Sequence, residues 1–182
     1  MRTYLSNDTV RLRAIEPEDI ELLYTWENDS EIWAVSNTLT PYSKYILALY
    51  IKNSDKDIYE SKQLRLMVNN SQGKTIGAVD LFDFDPFHSR AGIGVLIHSR
   101  EDRSKGYASA TLDLLISYCF NRLNMHQLYA NIESGNKISL SLFEKHGFKV
   151  AGTKKQWLRS ENGWNDEVLM QLIKVPKVPE IL

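Results

Sequence analysis

A six-residue run, Arg103-Ser104-Lys105-Gly106-Tyr107-Ala108, stands between an apolar strand pattern at Gly92 to Ile97 and a helical pattern at Tyr107 to Leu123. A strand that opens through a glycine-containing turn into a helix start aims several unpaired backbone N–H groups at one region of space. Such groups bind phosphate. Gly106 allows the backbone to approach a ligand closely, and Arg103 and Lys105 add positive charge. A dinucleotide fingerprint needs three spaced glycines, and a P-loop ends in Gly-Lys-Ser/Thr. Gly106 stands alone, which argues against an enzyme of ATP or NAD.

About thirty residues on, the stretch N-K-I-S-L-S-L-F-E-K-H-G-F runs from Asn136 to Phe148. Asn136 suits an N-cap, and the spacing of Ile138, Leu142 and Phe143 predicts one apolar side of a helix. Gly147 suits the left-handed position that ends a helix. Taken together and in this order, the two segments resemble the GNAT acetyltransferase superfamily. The first matches its Arg/Gln-x-x-Gly-x-Gly/Ala pyrophosphate loop; the second matches N-x-x-(S/A)-x-x-x-(Y/F/L)-x-K-x-G-F. The resemblance covers Val10 to Ile173 and is most specific between Asp80 and Phe148. The segments Leu12 to Ile20 and Asp80 to Ile93 look like the long-form branch that holds spermidine/spermine acetyltransferases and ribosomal-protein N-terminal acetyltransferases.

The resemblance implies an α/β fold: a mixed, mostly antiparallel, seven-stranded twisted sheet with about four helices and a V-shaped opening between the fourth and fifth strands. It implies a single domain over residues 1–182, with its core at 10–173 and a short tail at 174–182. Acetyl-CoA is then the co-substrate, with no metal. Main-chain donors of Arg103, Ser104, Lys105, Gly106, Tyr107 and Ala108 would grip the pyrophosphate. Backbone near Val95 and Ile97 would pair with the pantetheine amides, one N–H polarising the thioester carbonyl. Asn136, Ser139 and Phe143 complete the cofactor side.

Local patterns agree with that order of elements. Strands are predicted at Thr9 to Arg13, Gln63 to Val68, Thr75 to Phe82, Arg90 to Ile97, Gln127 to Ile132, Lys149 to Leu158 and Glu167 to Ile173. Helices are predicted from Pro17 to about Asn28, at Tyr42 to Lys52, at Tyr107 to Leu123 and after Asn136. Asn162-Gly163 signals a tight turn, and Pro176 and Pro179 mark a tail. Gly92 and Gly94 within a strand suggest a bulge or a close backbone approach, or room for an aromatic such as Phe82.

Acetyl transfer to an amine needs a neutral nucleophile, and therefore a base or a water chain on the acceptor side. Many members of the family place a glutamate where Gly92 stands, so that base is missing here. Asp80 and Asp83 are the nearest candidates for a base or water-holder. Phe143 occupies the position where polyamine acetyltransferases carry a tyrosine, and a phenyl ring donates no proton. Ser139 offers a hydroxyl in its place; otherwise the thiolate leaves unaided and catalysis rests on positioning.

The expected acceptor is a polyamine or another small primary amine, with a protein N-terminus second. Glu27, Asp29 and Glu31 after the first helix, with Asp83 and Asp85, are candidates to line a cation's path. Trp26, Trp33, Trp157 and Trp164 are candidates to wall it. The losses at Gly92 and Phe143 also keep open a CoA-binding sensor module without catalysis. A net charge of −1 provides no basic field for nucleic acid, and no stretch nears the roughly 18 apolar residues that span a bilayer. Met1 to Asp8 lacks a signal-peptide pattern, so a cytoplasmic protein is expected; a homo-oligomer, dimer or larger, without membrane or nucleic-acid partners is expected as well. Cys119, the single cysteine, falls on the apolar stripe Ala108, Leu112, Leu115, Cys119, Leu123 and reads as a buried small hydrophobe.

Overall fold

The alternation at the N-terminus forms β1 (Val10–Ala14), whose Val10 and Leu12 are buried on one face. The computed structural model describes residues 4–175 apart from 37, 55 and 161; the tail prolines Pro176 and Pro179 lie outside the described residues. After β1 come α1 (Ile20–Glu27), α2 (Ser30–Ser36), α3 (Lys44–Lys52), α4 (Ile58–Ser61), β2 (Leu64–Asn70), β3 (Thr75–Asp85) and β4 (Arg90–Ile97). Then follow α5 (Tyr107–Asn121), β5 (Gln127–Glu133), α6 (Lys137–Lys145), β6 (Lys149–Ser160) and β7 (Gly163–Ile173). Helix 3 starts because the Ser43 side chain accepts from Ile46 N at 3.2 Å, and α6 because Asn136 accepts from Ser139 N at 3.1 Å. The short helices α2 and α4 exceed the four read from periodicity, because a single turn or two carries too few apolar repeats to register.

All seven strands join one sheet in the order β1-β2-β3-β4-β5-β7-β6. Only β4 and β5 run parallel; the other neighbours are antiparallel. One face packs against α5 and α6 through Leu112, Leu115, Cys119, Phe143 and Phe148. The other packs against α1 and α3 through Leu23, Trp26, Leu47 and Ile51, over Met67 and Ala78 of the sheet. Burial pushes the Cys119 thiol up to about 12, so it stays protonated and packs as the stripe predicted. Ile138 departs from the predicted helix face: it is 86% exposed, while Leu140, Leu142 and Phe143 carry the packing.

Strand 1 is fastened to the turn that follows by a partly buried ion pair. Arg13 grips both carboxylate oxygens of Asp19 at 2.7 Å, and Glu16 N donates to the same side chain at 2.9 Å. Burial favours the neutral acid, but the Arg13 hydrogen bonds, the Glu16 backbone hydrogen bond and the Arg13 charge together outweigh it and hold the Asp19 carboxyl below the usual range. A depressed carboxylate contributes stability that is present above its unfolded pKa of about 3.9 and lost as pH falls through the folded value. Asp19→Asn is therefore expected to lower the denaturation midpoint at pH 7 and to flatten the decline below about pH 4; a variant with the wild-type acid profile would contradict this.

Candidate active site

The β4–β5 ladder contains Arg90↔Gln127, Ala91↔Leu128 and Gly92↔Tyr129, and then stops. Beyond Gly92 the two strands part, β5 continuing with β7 through Glu133↔Glu167 and β4 with β3 through Ile97↔Gly77. This is the V-shaped opening. Which backbone groups face it follows from ladder parity: His98 N donates to Ile76 O at 3.1 Å, so even-numbered residues of β4 bond to β3. The N–H and C=O groups of Ile93, Val95 and Ile97 point away from β3, into the opening. Val95 and Ile97 are the two positions expected from the sequence.

At the open end of the wedge lies the loop before α5. Ser104 and Gly106 both have positive φ, 61° and 82°, and such left-handed turns converge successive N–H groups. The first intrahelical bond runs from Ala110 N to Gly106 O at 2.9 Å, and no side chain caps the helix. The amides of Tyr107, Ala108 and Ser109 are left for an anion. The Arg103 guanidinium serves a different end from the expected one: Nε donates to Ile97 O at 3.0 Å and Nη2 to His98 O at 2.7 Å. It clamps the end of β4 to the loop. Lys105 Nζ lies 3.7 Å from Asp102 and is about half exposed.

The first turn of α5 is tied to the end of α6. Ser109 Oγ lies 2.9 Å from His146 Nε2, and His146 Nδ1 lies 3.0 Å from Asp113. The order resembles a hydrolase triad, yet Ser109 sits in regular helix and the Asp113 side chain is 68% exposed. The three residues brace the start of α5 against the end of α6. Asn136 is engaged as the cap of α6, as predicted; Ser139 lies partly buried one turn in. Phe143 does not line the opening: it is 4% exposed, with its ring edge-on to Phe148 at 5.0 Å.

On the α1–α3 face, opposite α5, a cavity of about 380 Å³ is lined by Glu27, Tyr42, Tyr50, Gln63, Arg65 and Asp80, with Phe82 at its edge. Arg65 organises it. Nε and Nη2 grip Asp80 at 2.6 and 2.9 Å, Nη1 bonds to Glu27, and the guanidinium lies 5.9 Å from the Tyr50 ring centroid. Burial opposes the charge of Arg65, but the two carboxylates more than offset it and raise its pKa above the ordinary value. Arg65 escaped the sequence reading, although it faces Asp80 directly across the β2–β3 ladder, the only such acid–base opposition there.

Asp83 lies elsewhere. It stands in the irregularity between Phe82 and Asp85, at φ 49°, and accepts from the Tyr129 hydroxyl at 2.8 Å. Asp85 is paired with Arg90 at 3.2 Å, Asp29 lies 3.2 Å from His98, and Glu31 bonds Arg100 at 2.5 Å. The five acids expected to share one path are thus dispersed, with Glu27 alone in the cavity. The tryptophans are dispersed too. Trp26 is buried against His98, Trp33 donates to Glu27 O at 2.6 Å, and Trp157 and Trp164 are exposed on the β6–β7 hairpin. Among the described residues no group of three His, Cys, Asp or Glu is placed to hold a metal, and no helix is long and apolar enough to cross a membrane.

The fold is matched by known proteins. A family model described as the acetyltransferase (GNAT) domain matches residues 9–149. The chain belongs to the GNAT acetyltransferase family. It is similar to the spermidine N(1)-acetyltransferase of Escherichia coli K12, 29% identical over 152 residues, 81% of this chain and 76% of that one. The crystal structure of spermidine N-acetyltransferase from Vibrio cholerae in complex with CoA and spermine superposes with a TM-score of 0.82 at 24% identity, covering 92% of this chain and 96% of that chain. The dodecameric structure of that enzyme in an intermediate state matches with a TM-score of 0.76 at 25% identity, over 92% and 95%. This GNAT chain is an N-acetyltransferase, and its wedge and loop fit coenzyme A.

Gly106 tests that fit. A Cβ there meets nothing within 4 Å, but φ of 82° is a region β-branched residues avoid. Gly106→Val is expected to reorient the amides and weaken CoA binding by tenfold or more, about 1.4 kcal/mol, in calorimetry. Unchanged affinity would remove the loop from the binding site.

Proposed function

We propose that this protein is a cytoplasmic enzyme that moves the acetyl group of acetyl-CoA to a primary amine of a polyamine or diamine, working as a single domain with its core at residues 10–173. The observation that carries the acceptor class is the charge of the cavity: Glu27 and Asp80 against the single guanidinium of Arg65 leave one net negative charge in a partly buried space. An acceptor with a second cation beyond its reacting nitrogen is attracted there, with the Tyr42 and Tyr50 rings beside it. A neutral or anionic acceptor is not. The relatives that act on spermidine favour the same class.

On the cofactor side, acetyl-CoA supplies an activated acyl group with a thiolate leaving group. The residues that would hold it are Ser104, Lys105, Gly106, Tyr107 and Ala108 at the phosphates, with Val95 and Ile97 along the arm. From Ile97 to Gly92 the strand covers roughly 17 Å, so an arm anchored at the loop runs toward the vertex of the wedge. Gly94 faces Asp80 across the β3–β4 ladder, and a Cβ on Gly94 would meet nothing within 4 Å. No side chain on Gly94 therefore stands beside Asp80 on the way from the wedge to the cavity. Ser139 remains the candidate hydroxyl beside the leaving group. Exposed Trp157 and Trp164 on the outer hairpin, each more than half exposed, suit burial between copies in a homo-oligomer, dimer or larger.

Thiol release from acetyl-CoA, followed with spermidine, spermine, putrescine, amino acids and peptides carrying free N-termini, is expected to be fastest with the polyamines. Glu27→Gln is expected to raise the polyamine KM about tenfold while leaving that for acetyl-CoA unchanged. Preferential turnover of peptides would favour the N-terminal acetyltransferase reading, and CoA binding without turnover of any amine would favour a sensor.

A further inference from the structure

The position where many family members carry a catalytic glutamate is Gly92, and here the space above it is filled. A Cβ on Gly92 would lie 2.2 Å from Phe82 Cε2, so the glycine exists to let that ring lie across β4. The Phe82 ring in turn stands edge-on to Tyr129, centroids 5.9 Å apart at 87°. Tyr129 is the last β5 residue paired with β4, so its ring marks the vertex of the wedge. The reacting end of a ligand anchored at the Gly106 loop comes to rest beside it.

The carboxylates at the end of α1 and along β3 differ in their partners. Glu27 and Asp80 are bound to Arg65, and Asp85 to Arg90. Asp83 is bonded instead by a neutral group, the Tyr129 hydroxyl at 2.8 Å, and its other side is exposed to water. A carboxylate held by a guanidinium is poorly placed to accept a proton; one held by a hydroxyl gains a route for it.

We propose that Tyr129 and Asp83 form a proton relay that replaces the missing glutamate. The acceptor arrives as an ammonium ion. One N–H proton passes to Tyr129 Oη while the Tyr129 hydroxyl proton passes to Asp83 Oδ2, which releases it to solvent. The freed amine lone pair forms the C–N bond, the C–S bond breaks, and the second nitrogen proton goes to the departing thiolate. Burial, reinforced by Asp83, pushes the Tyr129 phenol up to about 12, so Tyr129 acts as a phenol throughout the working range. The charged groups that face it are Asp83 from β3 and Arg90 from β4, the latter neutralised by Asp85; from β7 the residue opposite is the uncharged Gln171.

The relay rests on the acetyl-transfer reading, and the experiment separates the two. Wild type, Tyr129→Phe, Asp83→Asn and the double variant are assayed with acetyl-CoA and spermidine from pH 6 upward, with CoA binding by calorimetry and thermal melts as controls. Asp83→Asn keeps an oxygen that accepts the Tyr129 hydrogen bond but cannot take its proton. Each single variant is expected to lose about 100-fold in kcat near neutral pH, with the deficit shrinking towards about pH 10, where an alkylamine supplies its own free base. The double variant is expected to lose no more than either single, because the pair acts as a unit. A wild-type rate in Tyr129→Phe, a pH-independent deficit, or losses that multiply would each overturn the relay. Absence of turnover by the wild type with any amine would overturn the acetyl-transfer reading, and the relay with it.

Discussion

The parting of β4 from β5 beyond Gly92 and Tyr129 is the constraint on which the rest of the molecule depends. A strand edge that faces its neighbour without bonding to it leaves N–H and C=O groups unpaired, and each such group, once removed from water, costs about 1–3 kcal/mol. A ligand with amides of its own would satisfy the same groups while adding apolar burial. Ile93, Val95 and Ile97 all present their backbone to that gap, in the odd-numbered register set by the β3 ladder. Arg103 then ties Ile97 and His98, at the end of β4, to the loop that precedes α5.

On the opposite face, the chemistry is divided by Arg65. A partly buried guanidinium gripped by two carboxylates is costly to disturb, because removing either acid leaves part of its charge uncompensated. The network holds β2, β3 and the end of α1 in one geometry and gives the cavity its negative excess. Asp80 is thereby engaged by Arg65. The sequence offered Asp80 and Asp83 as equal candidates for proton handling; their partners make them different.

Much of the fold was legible from pattern. Glycine at 106 and 147, the Asn136 cap and the period-two strands each act locally, within a turn of chain, so the sequence carries them directly. The short helices α2 and α4 were not, because a helix of four to seven residues is held by what it packs on. The site was legible where backbone makes it and obscure where side chains do. Val95 and Ile97 came from the family resemblance and the ladder turns their backbone toward the opening, whereas the dispersal of Glu27, Asp29, Glu31, Asp83 and Asp85 depended on which bases the fold brought to each. Arg65 and Tyr129 were missed for the same reason: each gains its meaning from a partner 15 and 46 positions away, respectively. Phe143 was expected at the opening because its family position is functional, but without a hydroxyl it is an ordinary large hydrophobe, and Phe148 draws it into the core.

The loss of a carboxylate at Gly92 and the gain of Phe82 are one change. Glycine at 92 without a ring above it would leave a hole at the vertex where two strands separate, and a phenylalanine at 82 with any larger residue at 92 would collide. The ring that fills the hole also orients Tyr129, and Tyr129 reaches an acid that a left-handed turn at φ 49° lifts out of the β3 ladder. A non-glycine residue in that conformation carries strain of order 1–3 kcal/mol, and regular pairing would have directed Asp83 elsewhere. Packing, backbone strain and proton acceptance therefore meet at a single point, beside the place where the wedge closes and the acyl group must come to rest.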